Sequence, residues 1–307
     1  MKRTYKLFKL FLPIILAMTF TTAIIGIFIF KFTYNQATGI NFMQAAPIIT
    51  FMFLAATVVL CFYFIFKVKH IYVTKIRRDS NALKFASALA FVVVSILTVY
   101  DFYRLLASGM VISPSKAFKV IRILTAIPFL IYLVINALPK RMFRQKIVIP
   151  VPLQNISALG AILWSLSSIL AVWFFESTAY AYFKVVHTLF YALFTLFIVT
   201  EVKTQLIKPS AKLHIATALL LFTVSFPLTL SIVIGNVDNL THTGISLFEY
   251  LAALALCIYA VSKVYAYKYT IKFVMDTEKS STHHSHKHRR HKADNASQEN
   301  PTSTETK

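Results

Sequence analysis

Eight long apolar runs constrain the fold of this chain more than any other feature of its sequence. A helix needs about 20 apolar residues to cross the hydrocarbon core of a bilayer, and only helices or closed barrels satisfy every backbone hydrogen bond there. The runs show no strand-like alternation, which argues against an outer-membrane barrel. The sequence therefore predicts an all-α, polytopic integral membrane helix bundle. Its eight predicted transmembrane helices are about 8–31, 46–67, 85–106, 118–138, 153–175, 181–202, 213–235 and 247–267.

The composition supports a membrane protein and argues against a water-soluble one. Of the 307 residues, 57% are hydrophobic and 14% are charged, and the mean hydropathy is +0.67. A soluble domain is about half apolar and a quarter charged. The formal net charge of +21 suggests a nucleic-acid partner at first sight, but the cations lie between the apolar runs and in the C-terminal segment. We therefore predict no nucleic-acid partner.

The distribution of cations between the runs predicts how the chain is threaded. With the N-terminus in the cytoplasm, 26 of the 32 Lys and Arg residues, Lys263 among them, fall on the cytoplasmic side and 6 on the outer side. Glu201 also falls at the cytoplasmic boundary. Short loops that carry most of the positive charge stay in the cytoplasm. The sequence thus predicts a protein of the cell (plasma) membrane with both termini cytoplasmic and the lipid bilayer as its main partner. It does not predict an oligomeric state.

The chain divides into two parts by composition. Residues 1–275 form the predicted transmembrane bundle, whereas residues 276–307 are polar, charged and rich in Ser, Thr and His. A segment of that composition cannot bury enough apolar surface to offset the entropy of ordering its backbone. We therefore predict a disordered, basic, His-rich cytoplasmic tail.

The tail carries the stretch HHSHKHRRHK, in which cations separate the histidines. Imidazole clusters bind transition metals, but neighbouring cations make it costly to place a divalent ion among them. Basic residues beside a transmembrane helix instead gain about 1 kcal/mol each from the anionic inner leaflet. We therefore predict no metal site and contact with anionic inner-leaflet lipids, with docking of a protein partner as the alternative. The cations assigned to lipid contact are Lys287, Arg289, Arg290 and Lys292.

Ionisable residues inside the predicted helices mark the candidate functional site, because such residues are costly in lipid. Asp101 and Arg122 lie about equally deep near the outer ends of the third and fourth helices, in VYDFYRLL and KAFKVIRIL. In an antiparallel hairpin they would be neighbours, and each needs a partner at that depth. Two interpretations stay open: an ion pair that pins the hairpin, or a polar pocket that uses the remaining charge.

A second group of polar residues runs inward along the sixth predicted helix. They recur at spacings of three and four, which places them on one stripe of a helix: Lys184, His187, Thr188, Tyr191 and Thr195. Lys184 can extend to the headgroups, whereas His187 lies about two turns deeper than the start of the helix. His187 is therefore either a packing residue or a proton carrier.

Two further features complete the candidate site. Glu249 opens the eighth predicted helix, where a solvated or dipole-stabilised carboxylate is expected and where it can also face a pocket. Pro128 and Pro227 each remove a helical hydrogen bond, and Pro227 frees the carbonyl of Thr223 near the middle of the bilayer. These breaks are either simple kinks or parts of a transport site.

The sequence contains none of the motifs that identify common enzyme classes, such as H-E-x-x-H, a P-loop or G-x-S-x-G. It therefore predicts no catalytic residue and no cofactor. The favoured function is a small-solute or lipid binding or transport protein. Its outward-facing polar pocket would be formed by Asp101, Arg122, Lys184, His187, Tyr191 and Glu249. The alternative is a membrane sensor or accessory subunit that docks a partner or the inner leaflet through its basic loops and tail.

Overall fold

The computed structural model describes residues 2–35, 40–41, 45–68, 80–107, 114–138, 141–142, 145–146, 149–175, 181–206, 211–235 and 245–296. Within these ranges the chain is almost entirely helical. The helices are α1 (Lys2–Thr33), α2 (Ala45–Lys67), α3 (Asn81–Ala107), α4 (Pro114–Ala137), α5 (Val151–Phe175), α6 (Ala181–Leu206), α7 (Ala211–Leu220), α8 (Phe226–Gly235) and α9 (Leu247–Ala296). A π-helical turn, Leu221–Ser225, joins α7 directly to α8, so these three elements form one continuous helix with a widened centre.

In the part of the chain that the structure describes, eight helices are long and apolar enough to cross a membrane, and they correspond to the eight predicted spans within a few residues. Their bounds are Lys2–Phe32, Ile48–Lys67, Asn81–Ala107, Lys116–Ala137, Pro152–Phe174, Tyr182–Thr204, Ala211–Gly235 and Leu247–Met275. The prediction of eight apolar helices is therefore confirmed. The length of each apolar run made it possible, because a run of about 20 apolar residues has few folded forms other than a membrane-spanning helix.

Helix α9 lies at the centre of the bundle. In the part of α9 that can cross a membrane, Leu247–Met275, 72% of the most apolar 18-residue stretch is buried inside the protein. The corresponding fraction for α2 is 28%. Small residues such as Ala252 and Ala253 are fully buried on α9 and let its neighbours approach closely. The helix formed by α7, the π-helical turn and α8 is the second most buried, at 67%. A polar side chain on either helix must therefore find its partner within the protein.

Around this centre, several helices pack against a neighbour in sequence, as short connections favour, and others pack against a helix that is distant in sequence. Helix α1 packs against α2 and α8, α3 against α4 and α9, and α5 against α4 and α6. Gly160 lets α5 approach α4, because a Cβ atom there would lie 2.5 Å from Cγ of Pro128. Gly26 does the same for α1 and α8, where a Cβ atom would collide with the hydroxyl of Ser231. Glycine thus sets the spacing at two of the helix contacts.

The strands that the structure describes are four two-residue segments in two antiparallel pairs. β1 (Tyr34–Asn35) pairs with β2 (Ile40–Asn41), and β3 (Arg141–Met142) pairs with β4 (Gln145–Lys146). The first pair lies between α1 and α2 in the sequence, and the second lies between α4 and α5. The all-α fold class holds with this small addition.

Large apolar side chains cover the outer surfaces of the peripheral helices. Phe66 is 73% exposed, Phe85 is 70% exposed and Val99 is 69% exposed. Apolar surface of this extent is costly in water at about 25 cal/mol per Å². It fits a membrane-embedded protein, in which acyl chains rather than water cover these side chains.

Helix α9 continues well beyond the predicted end of the last span, as far as Ala296. The backbone of residues 276–296 is therefore helical in the structure, where the sequence predicts a disordered tail. The segment contains neither Gly nor Pro, so nothing in it stops a helix that has already been nucleated by the apolar part of α9. Residues 297–307, and the side chains of residues 276–296 with the four predicted lipid-contacting cations among them, lie outside what the structure describes.

Candidate functional site

Four ionisable side chains from four different helices meet at one place inside the bundle. Asp101 comes from α3, Arg122 from α4, His187 from α6 and Glu249 from α9. We call these four residues the Arg122 cluster. Each is at most 6% exposed. Ionised groups at such depth need partners, since the cost of removing one charge from water is several kcal/mol.

Arg122 holds the cluster together by contacting two carboxylates. Its Nη2 lies 2.5 Å from Oδ2 of Asp101, and its Nη1 donates a hydrogen bond of 2.6 Å to Oε1 of Glu249. The predicted Asp101–Arg122 pair is therefore confirmed. The solvated position expected for Glu249 is wrong, because α9 is the central helix and turns the first residues of its span towards α4 rather than towards the headgroups.

His187 completes the cluster on the far side of Glu249. Its Nε2 lies 3.3 Å from Oε2 of Glu249, but neither atom makes an aligned hydrogen bond to any part of the chain that the structure describes. The imidazole ring is held edge-on between Tyr191 and Tyr250, with ring centroids 5.2 and 5.1 Å away. The aromatic rings fix the position of the imidazole, and the carboxylate faces it.

Lys184 does not join the cluster, although the sequence places it on the same stripe. Its ammonium lies over the ring of Trp173, 5.9 Å from the centroid, and the indole Nε1 of Trp173 donates a hydrogen bond of 2.8 Å to Thr188. His187 and Thr188 are about 100° apart around α6, so the two edges of the stripe face different neighbours. One edge contacts α5 and the other contacts α9.

A second buried ionic group, which the sequence analysis missed, lies farther along the same helices. Lys263 of α9 donates hydrogen bonds of 2.7 Å to Oε1 of Glu201 on α6 and of 2.7 Å to Oδ1 of Asn136 on α4. All three side chains are at most 3% exposed. We call these three residues the Lys263 cluster. The sequence counts Lys263 among the cytoplasmic cations and Glu201 as a boundary residue, whereas both are in the protein interior.

Polar side chains of α6 and α7 surround the Lys263 cluster. The imidazole of His214 stacks on Phe197 with ring centroids 4.8 Å apart, and its Nδ1 lies 3.3 Å from the hydroxyl of Thr200. Thr200 is also 2.8 Å from the hydroxyl of Thr217. These contacts attach the start of α7 to the end of α6.

The two clusters are related by a constant offset along three parallel helices. Each of α4, α6 and α9 contributes one residue to both clusters, and the two residues are 14 positions apart in every case. This spacing corresponds to about 21 Å along a helix axis, and it places the clusters at different depths of the bundle. The pairs are Arg122 and Asn136, His187 and Glu201, and Glu249 and Lys263.

Aromatic side chains fill the space between the clusters. The ring of Phe129 lies 4.9 Å from that of Trp164 and 5.7 Å from that of Phe194. All three are at most 1% exposed. These three aromatic side chains therefore offer no polar path from one cluster to the other, although hydroxyl groups lie at intermediate depths, such as those of Tyr132 and Tyr259, which are 3.3 Å apart.

The helix break predicted at Pro227 is present as the π-helical turn that precedes it. Thr223 donates a hydrogen bond of 2.8 Å from its hydroxyl to the carbonyl of Leu219, and Ser231 donates one of 2.6 Å to the carbonyl of Pro227. The thiol of Cys257 lies 3.8 Å from the carbonyl of Leu221. Since Cys257 is between Glu249 and Lys263 on α9, the break is at a depth between the two clusters. Pro128 instead packs against Gly160 and serves helix contact.

The predicted outward-facing pocket is closed in this structure, because all four side chains of the Arg122 cluster are buried. In the described ranges, no three His, Cys, Asp or Glu side chains are grouped so that they could hold a metal ion. Comparison of the chain with protein-family models, with curated proteins and with solved structures finds no match.

Proposed function

We propose that this chain is an integral protein of the cell membrane that binds and moves a small polar solute or a lipid headgroup, with the Arg122 cluster at the centre of its binding site. The observation that carries the proposal is the convergence of four ionisable side chains from four helices at one buried point. Intramembrane ionisable groups that face one another within a bundle mark solute and ion pathways.

The composition of the cluster supports a binding role over a purely structural one. An ion pair that only fixes α3 against α4 needs one acid and one base, and Asp101 with Arg122 already supplies both. Glu249 and His187 add a second carboxylate and a titratable ring from two further helices. A buried ion pair contributes little net stability compared with apolar packing. The additional groups therefore favour a function in which their charge is used.

The arrangement of the two clusters supports movement of the solute across the bundle. The Arg122 cluster and the Lys263 cluster occupy two depths of the same three helices, with an aromatic layer between them. Helix α7 lies at the level of the Lys263 cluster, where the ring of His214 packs against that of Tyr267, one turn beyond Lys263 on α9, whereas α8 packs near Tyr250 beside the Arg122 cluster. The π-helical turn between α7 and α8 is a feature that recurs at functional sites. We propose that it lets the two halves of this helix move separately.

We further propose that both termini are cytoplasmic. This threading places the Arg122 cluster near the outer surface and the Lys263 cluster near the cytoplasmic surface. The loop-by-loop excess of cations supports it. The protein would then open towards the outside at the Arg122 cluster.

A role as a sensor or accessory subunit is the second candidate, and the length of α9 favours it. The helix projects 21 residues beyond Met275, and this extension carries five of the chain's cations. A basic helix that leaves the membrane in this way would contact anionic inner-leaflet lipids or a protein partner. The two candidates are compatible, because the extension and the Arg122 cluster are at different depths.

The proposal predicts that the Arg122 cluster opens to the outer aqueous phase. Asp101→Cys leaves Arg122 balanced by Glu249, and we expect the new thiol to react with a membrane-impermeant methanethiosulfonate added outside intact cells. Ala126→Cys, one turn deeper on α4 and fully buried, is the matched control and should react at least about tenfold more slowly, since water must enter the site for a thiolate to form. Wild-type protein, whose Cys61 and Cys257 are both buried, gives the background.

Equally slow labelling of Asp101→Cys and Ala126→Cys from either side would show that water does not reach the Arg122 cluster. The sensor role would then be the better candidate. Deleting the residues after Asp276 separates the two roles further. It should abolish recruitment of a partner or leaflet contact and leave the labelling of Asp101→Cys unchanged.

A further inference from the structure

We infer that one anionic phospholipid binds at a defined patch on the surface of the bundle, where two lysines and two exposed aromatic rings from α2 and α7 meet. We call the four side chains the Lys212 patch: Tyr63, Phe66, Lys67 and Lys212. This site lies outside the Arg122 cluster and does not depend on solute transport. Three features support a lipid there: the geometry of the patch, the charges around it and the apolar face of α2 beside it.

The Lys212 patch holds two ammonium groups at neighbouring aromatic rings near the end of α2. Nζ of Lys67 lies over the ring of Tyr63, 5.2 Å from its centroid. Nζ of Lys212, from the first turn of α7, lies over the ring of Phe66 at 5.9 Å. Both rings are exposed, and residues three apart on a helix share one face. Contacts of this kind are weak at exposed sites, so both ammonium groups remain available to an anion.

The patch lies at the end of the bundle that carries the Lys263 cluster. Helix α1 begins and α2 ends there, since the rings of Phe8 and Phe64 are 5.1 Å apart. The start of α7 is close to both, because Lys212 and Ile215 border the same small apolar gap as these two rings. Phe8, Phe64 and Ile215 are themselves buried. A ligand of the patch therefore lies on the outer surface rather than between the helices.

The charges at this end of the bundle fit an anion. The structure gives Lys67 and Lys212 no carboxylate partner within the described ranges, and α1, α2, α7, the π-helical turn and α8 contain no Asp or Glu. Glu201, at the end of α6, is buried and bound to Lys263. By sequence, every segment at this end has more Lys and Arg than Asp and Glu: 1–9, 67–84, 138–146, 201–212 and 263–307.

The outer face of α2 supplies apolar contacts for the acyl chains of the same lipid. Exposed apolar side chains recur along it at spacings of three, four and seven, which places them on one stripe: Phe66, Phe62, Val59, Met52 and Ile48. The stripe is about 27 Å long, which exceeds the half of the ~30 Å hydrocarbon core that one leaflet occupies. With the cytoplasmic termini proposed above, this leaflet is the inner one, whose surface is anionic.

The test is native mass spectrometry of the full-length protein in detergent, titrated with phosphatidylglycerol. We expect Lys67→Gln combined with Lys212→Gln to weaken the first binding step at least about tenfold, because each cation at an anionic lipid surface contributes about a factor of five. Lys6→Gln combined with Lys9→Gln is the matched control. It removes the same charge from exposed positions at the same end.

The control pair should weaken binding by at most about threefold. Phe8 and Phe11 of α1 face α2, so Lys6 and Lys9 lie on the opposite side of α1. A helix is about 10 Å across, and at physiological ionic strength charges that far away are largely screened. Equal weakening by the two pairs would show general attraction to a basic surface and would overturn the site. Unchanged binding in Lys67→Gln with Lys212→Gln would overturn it as well.

Two further measurements separate charge from folding and a lipid from a free anion. Lys67→Arg combined with Lys212→Arg keeps both charges and should bind phosphatidylglycerol within about threefold of the wild type, whereas a loss as large as in the glutamine pair would contradict a charge contact. Glycerol phosphate, which lacks acyl chains, should not displace the lipid, and phosphatidylcholine should bind more weakly. Displacement by glycerol phosphate, or equal binding of phosphatidylcholine, would overturn the assignment to an anionic phospholipid.

Discussion

Replacing Arg122 with methionine is expected to lower the free energy of unfolding by about 3–5 kcal/mol, because the change leaves two buried carboxylates without their shared partner. Asp101 and Glu249 are each at most 6% exposed, so neither can be hydrated without opening the bundle. The measurement is chemical or thermal unfolding of the purified protein in detergent. Arg104→Met is the matched control, since Arg104 is exposed and lies over the ring of Tyr100. It should change stability by about 0.5 kcal/mol or less.

A compensating variant shows whether this loss comes from charge or from packing. Adding Asp101→Asn and Glu249→Gln to Arg122→Met removes both stranded charges, and we expect it to restore more than half of the lost stability. If the triple variant is as unstable as, or less stable than, Arg122→Met alone, then the guanidinium acts through packing. The interpretation of the Arg122 cluster as an ionic network would then be wrong.

The second large effect is expected at the other cluster. Lys263→Met removes the ammonium that lies 2.7 Å from the buried carboxylate of Glu201, and we expect a loss of about 3–5 kcal/mol in the same unfolding measurement. Lys272→Met, at an exposed position two and a half turns farther along α9, should be close to neutral.

Adding Glu201→Gln to Lys263→Met should recover most of the loss, because an amide at this position has no charge to neutralise and can accept from or donate to Asn136. A double variant that is less stable than Lys263→Met alone would contradict the assignment of the 2.7 Å contact as an ion pair. Because the clusters are about 21 Å apart, the losses from Arg122→Met and Lys263→Met should add to within about 0.5 kcal/mol.

The eight helices could be predicted from the sequence because a single physical requirement determines them. Every backbone group in hydrocarbon must be paired within its own segment, so a run of about 20 apolar residues leaves a helix as the outcome. The extent of α9 beyond residue 267 could not be predicted in the same way. Composition alone indicates how poorly residues 276–296 would pack, and it does not show that they continue an existing helix.

Half of the Arg122 cluster could be predicted, and the reason lies in the connection between its helices. Asp101 and Arg122 belong to one hairpin, so equal depth is enough to bring them together. Glu249 is 127 positions away from Arg122, and no local rule relates the two. Only the packing of α9 at the centre of the bundle, against both α3 and α6, brings Glu249 and His187 to the same point.

The Lys263 cluster could have been found from a signal that the sequence does contain. Polar or charged residues recur 14 positions apart on three helices, and 14 residues are close to four turns, so each pair lies on one face of its helix. Lys263 is also one turn inside the predicted end of its span. A count of charges by loop assigns Lys263 to the cytoplasmic side, because such a count treats every cation near a helix end as solvated.

The most direct test of the central claim is to map the side of the membrane on which two connecting segments lie. Single cysteines introduced within residues 140–146 and within residues 236–244 are labelled with a membrane-impermeant thiol reagent in intact cells. With eight crossings and cytoplasmic termini, residues 236–244 react from outside, whereas residues 140–146 react only after the membrane is permeabilised. Labelling of both segments from the same side would contradict the threading, and with it the placement of the two ionic clusters at opposite depths of the bilayer.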